Sequence, residues 1–518
     1  MIFSYTTHKG MAPKIAEQLL PENYAVIAQN CDISSGELRP IKNSLLVGSL
    51  VSTTEIGCIY YYLGQYWFEF PSGVDIQEGP VANDTENRVY WTGNGLPKKT
   101  NSTEAITGAG PYPTAFYPIS VPTPDFAPTA TLGAGGTGSA RDVSYVWTVV
   151  TSWGEEGLPG DPSNEVSALQ GQAVNLSAMS LIWTAGKAYA INSWVFPTVA
   201  NNCCYRCVTA GTAGGIAPAW GTIQDGDTTS GTAVFRCYKD DILNGTGAEK
   251  RIYRANVGNT SVVWRLVDTI AITATTYADT TTDDDLEATV LPSEDWSPPP
   301  DTLRGLTPIG KSFAGFIGKD IYISEPNRPH AWPYSQSVAH DIVGMASVGN
   351  ALVVLTTRNP VIFTGSHPDS MTPKVLPEPK KCLSKTGIVT TPNGVMFPSV
   401  NGLELCDGNS VTLLTKDFLD KDTWADYYPA TMKSVFHQGR YYGFYSSGGN
   451  EGAAVIDTVT GGITELSFCP DALYVDPESD SLYFVSSSSD TLLLESGTAY
   501  PVRADAILLE SGDTILME

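Results

Sequence analysis

Residues 58–70 read Cys58-Ile-Tyr-Tyr-Tyr-Leu-Gly-Gln-Tyr-Trp-Phe-Glu-Phe70, two aromatic-rich runs about the two-residue turn Gly64-Gln65. Successive residues of a strand face opposite sides, and a two-residue link between such runs predicts an antiparallel hairpin. The same grammar appears at 88–91 before Gly93-Asn-Gly95 and returns after Pro300, at 313–316 and 321–324 and then at 351–356 and 361–364. It runs on through 394–397, 403–406, 411–414, 435–437, 441–445, 453–456, 472–475 and 482–485. The turn pairs Asn393-Gly394, Asn401-Gly402, Asp407-Gly408, Gln438-Gly439 and Gly461-Gly462 punctuate it. Strand clusters recurring at roughly 40-residue intervals match four-stranded propeller blades. We therefore expect an all-β chain built on a β-propeller of about five or six blades. One cluster lies near 45–100 and the rest follow 300, so the ring must close with strands from both halves, leaving the middle as an insertion. A stack of sandwiches is the competing arrangement.

Composition agrees. Charged residues are 16% of the 518, Gly and Pro number 49 and 35, and aromatics reach 10%, a profile of short strands joined by tight turns. A net charge of −25 argues against a protein that grips nucleic acid by neutralising phosphates. The longest apolar runs, such as 351–355, fall far short of the roughly 20 residues of a membrane-spanning helix. Residues 1–14 lack the apolar segment of a signal peptide. Nine scattered cysteines, an odd number, argue against a secreted disulfide framework and for reduced thiols.

Working outward gives the divisions. Residues 1–40 form an arm with one helix candidate, 13–20, where Ile15, Leu19 and Leu20 make an apolar stripe closed by Pro21. Residues 41–120 are the first part of the propeller. A Pro/Gly/Thr-rich linker spans 112–138, and two flanks, 121–180 and 239–295, are read as halves of one fibronectin-like or immunoglobulin-like sandwich. Between them, 181–238 is a compact aromatic β module. Residues 296–490 complete the propeller. Residues 491–518 form a tail in which Leu492-Leu-Leu-Glu-Ser-Gly497 recurs as Ile507-Leu-Leu-Glu-Ser-Gly512, an edge strand pair or docking tail.

Several strings resemble those of tail nozzle (tail tubular protein B-like) proteins of short-tailed bacteriophages. They are Leu20-Pro-Glu-Asn-Tyr24 through Ala28-Gln-Asn-Cys-Asp32 to Gly36-Glu-Leu-Arg-Pro40, and Pro80-Val-Ala-Asn-Asp84 with Arg88-Val-Tyr-Trp91. Trp153-Gly-Glu-Glu-Gly157 is the third. Pro298-Pro-Pro300 with Leu303-Arg-Gly-Leu306, and Ile323-Ser-Glu-Pro326 to His330-Ala-Trp-Pro333, complete the set. The resemblance implies a virion protein assembled in the bacterial cytoplasm, a six-membered homo-oligomeric ring around a DNA channel. It also implies docking to an adaptor or portal ring and to tail fibres or spikes. An anionic bore suits transient passage of DNA without adhesion. No catalytic residue and no cofactor is expected. A polysaccharide-degrading tail enzyme and a receptor-binding or fibre-attachment protein are the alternatives.

The module resembles small chitin-binding-type carbohydrate modules at Trp183, Ala188-Tyr189, Tyr205-Arg-Cys207, Thr209-Ala-Gly211 and Pro218-Ala-Trp220. It departs from them at Asn192-Ser-Trp194-Val195. Trp183, Tyr189, Trp194, Tyr205 and Trp220 are the candidate sugar-stacking residues for a host surface glycan, since flat ring faces pack on pyranose C–H surfaces. The favoured competing reading makes the aromatics the core of a small domain. Cys203, Cys204, Cys207 and Cys237 invite zinc, but adjacent strand cysteines face opposite ways, so core thiols are preferred. Asp283-Asp-Asp285 with Glu287 reads as a solvated turn, and the five histidines, 8, 330, 340, 367 and 437, are too dispersed for a metal cage or triad.

Overall fold

The computed structural model describes residues 8–33, 39–52, 54–81, 84–239, 243, 247–256, 263–459, 461–485 and 491–499, with 507–508 and 514–515. Among them, six four-stranded antiparallel sheets follow one another as blades. Blade one is Asp75–Glu78, Val89–Thr92, Lys98–Thr100 and Tyr117–Pro118. Blades two to five are consecutive, starting at Arg304–Ile309, Ile342–Val348, Val389–Thr391 and Lys433–His437. Blade six takes Ala472–Asp476, Ser481–Val485 and Thr491–Ala499 from the C-terminal part and Lys42–Ser49 from the N-terminal part. The hairpin Cys58–Tyr62 and Tyr66–Phe70 fills the gap between blades six and one.

Closure is visible in the packing. Buried clusters join each unit to the next: Tyr90 and Ile119 with Phe313 and Trp332, Phe316 and Ile323 with Leu352 and Phe363, Val353 and Ile362 with Val395 and Phe397. The circuit continues through Met396 with Tyr441, then Phe444 with Leu473. Ile59 with Val485 and Phe68 with Trp91 bring it back to blade one. Each sheet is apolar on both faces, so stacking in a circle is the way to bury both. From blade one through blade six the first strand of each stands beside the first strand of the next, and that of blade six stands beside the hairpin strand Cys58–Tyr62, placing these strands around the axis. Their ionic residues are mixed, Asp75, Glu78 and Asp476 with Arg304 and Lys433.

Two sequence readings change here. The stretch 491–499, set apart as tail, is an inner strand of blade six, paired with residues more than 400 positions away. The arm has no helix over 13–20 but a 3-10 turn at Glu17–Leu19 without a side-chain cap, with Leu19 75% exposed. There the chain follows the sheet instead: Met11 bridges Ile463, Gln29 bridges Glu465, and Met11, Ala25, Ala28 and Ile33 bury against blades four and five. The α-helix among the described residues is Lys421–Ala425, begun by Asp420 accepting from the Asp422 and Thr423 N–H groups, and holding buried Trp424. No described helix is long and apolar enough to cross a membrane.

The inserted flanks do complete one unit. It is a single antiparallel sheet in the order Arg265–Ala271, Glu249–Asn256, Thr129–Val150, Val166–Ser177, Tyr277–Asp279, rather than two separate facing sheets. Thr129–Val150 is 22 residues long and takes in the end of the expected linker. Register shifts after Leu132 and Thr137 let it bend. Gly136 lies between them with φ +91°, and a Cβ there would lie 2.6 Å from Gln172 Cβ, so only glycine fits. The concave side is filled by Tyr145, Trp147 and Ile252 together with Trp194, Phe196, Cys204 and Tyr238 of the module. The module thus supplies the second layer.

Candidate functional site

The turn Trp153-Gly-Glu-Glu-Gly157 follows the long strand. Its backbone closes on itself, with the Thr151 N–H donating to Glu155 O at 2.9 Å and the Gly157 N–H to Val149 O at 2.9 Å. Glu155 and Glu156 are successive residues and point apart. Glu156 faces the insert, accepting from Thr148 Oγ1 at 2.8 Å, the Tyr253 hydroxyl at 2.6 Å and Arg251 at 2.6 Å. Glu155 faces the propeller. Its carboxylate takes the ammonium of Lys99, a fully buried side chain of blade one, and lies 3.5 Å from Arg88 of the same blade. Arg88 is held from its other end by Asp84 at 2.8 Å. The Trp153 ring lies 5.5 Å from both cations and edge-on to Tyr117.

Blade two reaches the same place. His330 is buried beside Glu155 and Lys99, with its ring edge-on to Trp296 at 5.8 Å. Burial alone would raise the Glu155 carboxyl, but Lys99, His330 and Arg88 together hold it below the ordinary range. Burial pushes the His330 imidazole down to about 4, outweighing the pull of Glu155.

A histidine neutral in the fold and free to protonate once unfolded destabilises on acidification. As pH falls from about 6.5 through about 4 the unfolded chain takes the proton first, costing on the order of 3 kcal/mol. Urea melts between pH 7 and 4 should show this loss, and His330→Phe should flatten it; an unchanged slope in the variant would contradict the assignment.

The module is strapped down beside this joint. Arg206 forks onto both oxygens of Asp301 at 2.7 and 2.8 Å, and Lys98 of blade one meets Asp225 at 3.2 Å. Gln224 donates to Phe116 O at 2.9 Å. Of the sugar candidates, Trp183, Tyr189 and Tyr205 are buried in the module's own core, while Trp194 is buried against Tyr238 in the layer shared with the large sheet. Trp220 is half-buried, its ring 4.2 Å from Tyr205 and 6.5 Å from Trp183. The ring faces are thus spent largely on one another, and Trp220 alone of the five keeps substantial exposure.

Cys203, Cys207 and Cys237 enter that core, whereas Cys204 faces the large sheet, the opposite-face arrangement expected of adjacent strand residues. Burial pushes the Cys237 thiol up to about 12, which keeps it protonated. Among the described residues no group of three or more His, Cys, Asp or Glu is placed to hold a metal. Asp283 is not merely solvated; it pairs with Arg254 at 3.1 Å and Arg141 at 3.2 Å.

A surface cleft of about 490 Å³ lies on the seam of the hairpin with blades six and one, lined by Tyr61, Tyr62, Glu78, Asp84, Tyr474 and Glu478 among others. It has no His, Cys, Ser or Thr in its lining. Asp84 is engaged by Arg88 and Asp476 caps its own turn, leaving Glu78 and Glu478 as its exposed carboxylates.

The site that sequence reasoning missed is the joint. Alternation marks Glu155 and Glu156 as facing apart, but nothing local names Lys99, Arg88 or His330 as their company.

No family model and no curated protein matches the chain. Solved structures with some likeness include BamB from Moraxella catarrhalis, 12% identical with a TM-score of 0.26, covering 62% of this chain and 97% of that one. Another is the Cps50 (Swd1) β-propeller domain from Myceliophteria thermophila, at 9%, 0.25, 47% and 93%. Saccharomyces cerevisiae Sqt1 stands at 9%, 0.28, 89% and 100%. Such scores carry no functional argument, and the propeller rests on the chain's own sheet order and closed circuit of cores.

Proposed function

We propose that the chain is a structural wall subunit of a short-tailed phage tail, a nozzle protein that assembles as a ring and lets DNA pass without adhering. One observation carries this reading. Three of the strings that resemble the nozzle family, 80–91, 153–157 and 323–333, lie far apart in sequence yet meet at the Glu155 joint. A fourth, 303–306, packs beside it, with Leu303 and Leu306 against Tyr90 and Trp332. The residues behind the resemblance therefore serve to fix the angle between propeller and insert. A buried, ion-paired joint has no room for substrate, and rigid geometry suits the wall of a ring. The anionic bore belongs to the surface between copies, since the propeller axis itself is mixed in charge.

The test is assembly. Purified chain mixed with portal and adaptor rings is expected to form six-fold particles in negative-stain images, and a chain that stays apart from both would overturn the reading. Glycan cleavage requires two facing carboxylates. Turnover of host polysaccharide that disappears in Glu78→Gln would favour the enzymatic alternative instead. Deleting 181–238 does not test receptor binding cleanly, because it strips Trp194, Phe196, Cys204 and Tyr238 from the layer covering Trp147.

A further inference from the structure

Lys42–Ser49 is the outer strand of blade six, with Thr491–Ala499 on one side and no strand on the other among the described residues. Its open stretch is apolar on both faces: Leu45, Leu46 and Val47 are 53%, 59% and 46% exposed. Edge strands are normally guarded by charge or proline because their free N–H and C=O groups pair with any suitable chain. Residues 44–49, Ser-Leu-Leu-Val-Gly-Ser, contain neither.

The strand's existing partner shows what fits it. Leu493 lies opposite Leu46 and Leu494 opposite Leu45, within Leu492-Leu-Leu-Glu-Ser-Gly497. The chain carries that sequence a second time, as Ile507-Leu-Leu-Glu-Ser-Gly512. In the single chain Ile507–Leu508 pairs with Thr514–Ile515 and with no other described strand. Each chain thus carries both an apolar edge and a second copy of the sequence that pairs with it.

We propose that segment 507–512 of one copy adds as a strand to the Lys42–Ser49 edge of a second copy. Main-chain hydrogen bonds would supply the affinity and the leucines the register. Donor and acceptor surfaces differ, so the contact is head-to-tail, and repeated it builds a ring where the rotation closes and a filament where it does not. It needs only a second copy of this chain, and stands whether or not the ring belongs to a tail.

Sedimentation of the full chain tests it. The wild type should be oligomeric, while Leu46→Lys and Leu509→Lys should each lose the oligomer without a change in melting temperature, Leu46 being solvent-exposed. Leu46→Lys mixed with Leu509→Glu should regain it through the complementary charges. A monomeric wild type whose amides at 45–48 exchange slowly would mean the segment docks on its own chain, overturning the proposal. So would an oligomer indifferent to both lysines.

Discussion

Glu155→Ala is expected to lower the stability of the folded chain by about 3–5 kcal/mol, the usual cost of stripping the partner from a buried charge. Lys99 has no exposed surface and keeps only the Ile119 carbonyl, at 3.3 Å, while Arg88 keeps Asp84. The insert should loosen from blade one first, because the ion pair is the bond that crosses between them there. Glu155→Gln keeps the volume but not the charge and should cost nearly as much. Calorimetry checks both, and hydrogen exchange should show the loss concentrated at 88–100 and 149–157. A drop below about 1 kcal/mol, typical of an exposed pair, would mean that Lys99 is relieved by some other route. The paired variant Lys99→Met with Glu155→Leu should recover most of the stability, since apolar residues of similar volume often replace a buried ion pair without loss.

The other large effect is expected from removing residues 1–50. The deletion takes away the outer strand of blade six and the arm that buries Met11, Ala25, Ala28, Cys31 and Ile33 against blades four and five. At about 1.5–3 kcal/mol per large apolar side chain, and less for the alanines, the arm alone represents on the order of 5–10 kcal/mol, comparable with the whole stability of a typical domain. The truncated chain should unfold in more than one step, with blade six and the hairpin 58–70 melting ahead of blades two to four. A single cooperative transition near the wild-type temperature would mean that the ring closes without its N-terminal strand.

These two variants probe the same distinction from opposite ends. Ring closure joins Lys42 to Ala499, and the joint sets Lys99 against Glu155. Neither pairing leaves a trace in any short window of sequence. The hairpin at 58–70 was legible because its period-two alternation and its tight turn are local properties, and the structure returns both strands as expected. The helix at 13–20 was misread because an apolar spacing that suits a helix also suits an extended segment laid on a sheet, and the open edge at Ile463 offered hydrogen bonds that outcompeted a turn of helix lacking a cap. The aromatic module at 181–238 has a core of its own, while Trp194, Phe196, Cys204 and Tyr238 belong to the layer shared with the large sheet. Its rings face inward because a domain of this size has few other residues with which to build a core.

By itself the sequence determined the all-β class, the blade spacing and the nested insert, since each follows from alternation and turn chemistry within a few residues. The tertiary structure alone decided which strand seals the ring, which cations meet Glu155, and that the module is a packed layer rather than an appendage. Those outcomes depend on burying apolar faces and charges against residues hundreds of positions distant, and desolvation is a property of the assembled fold that no local pattern carries.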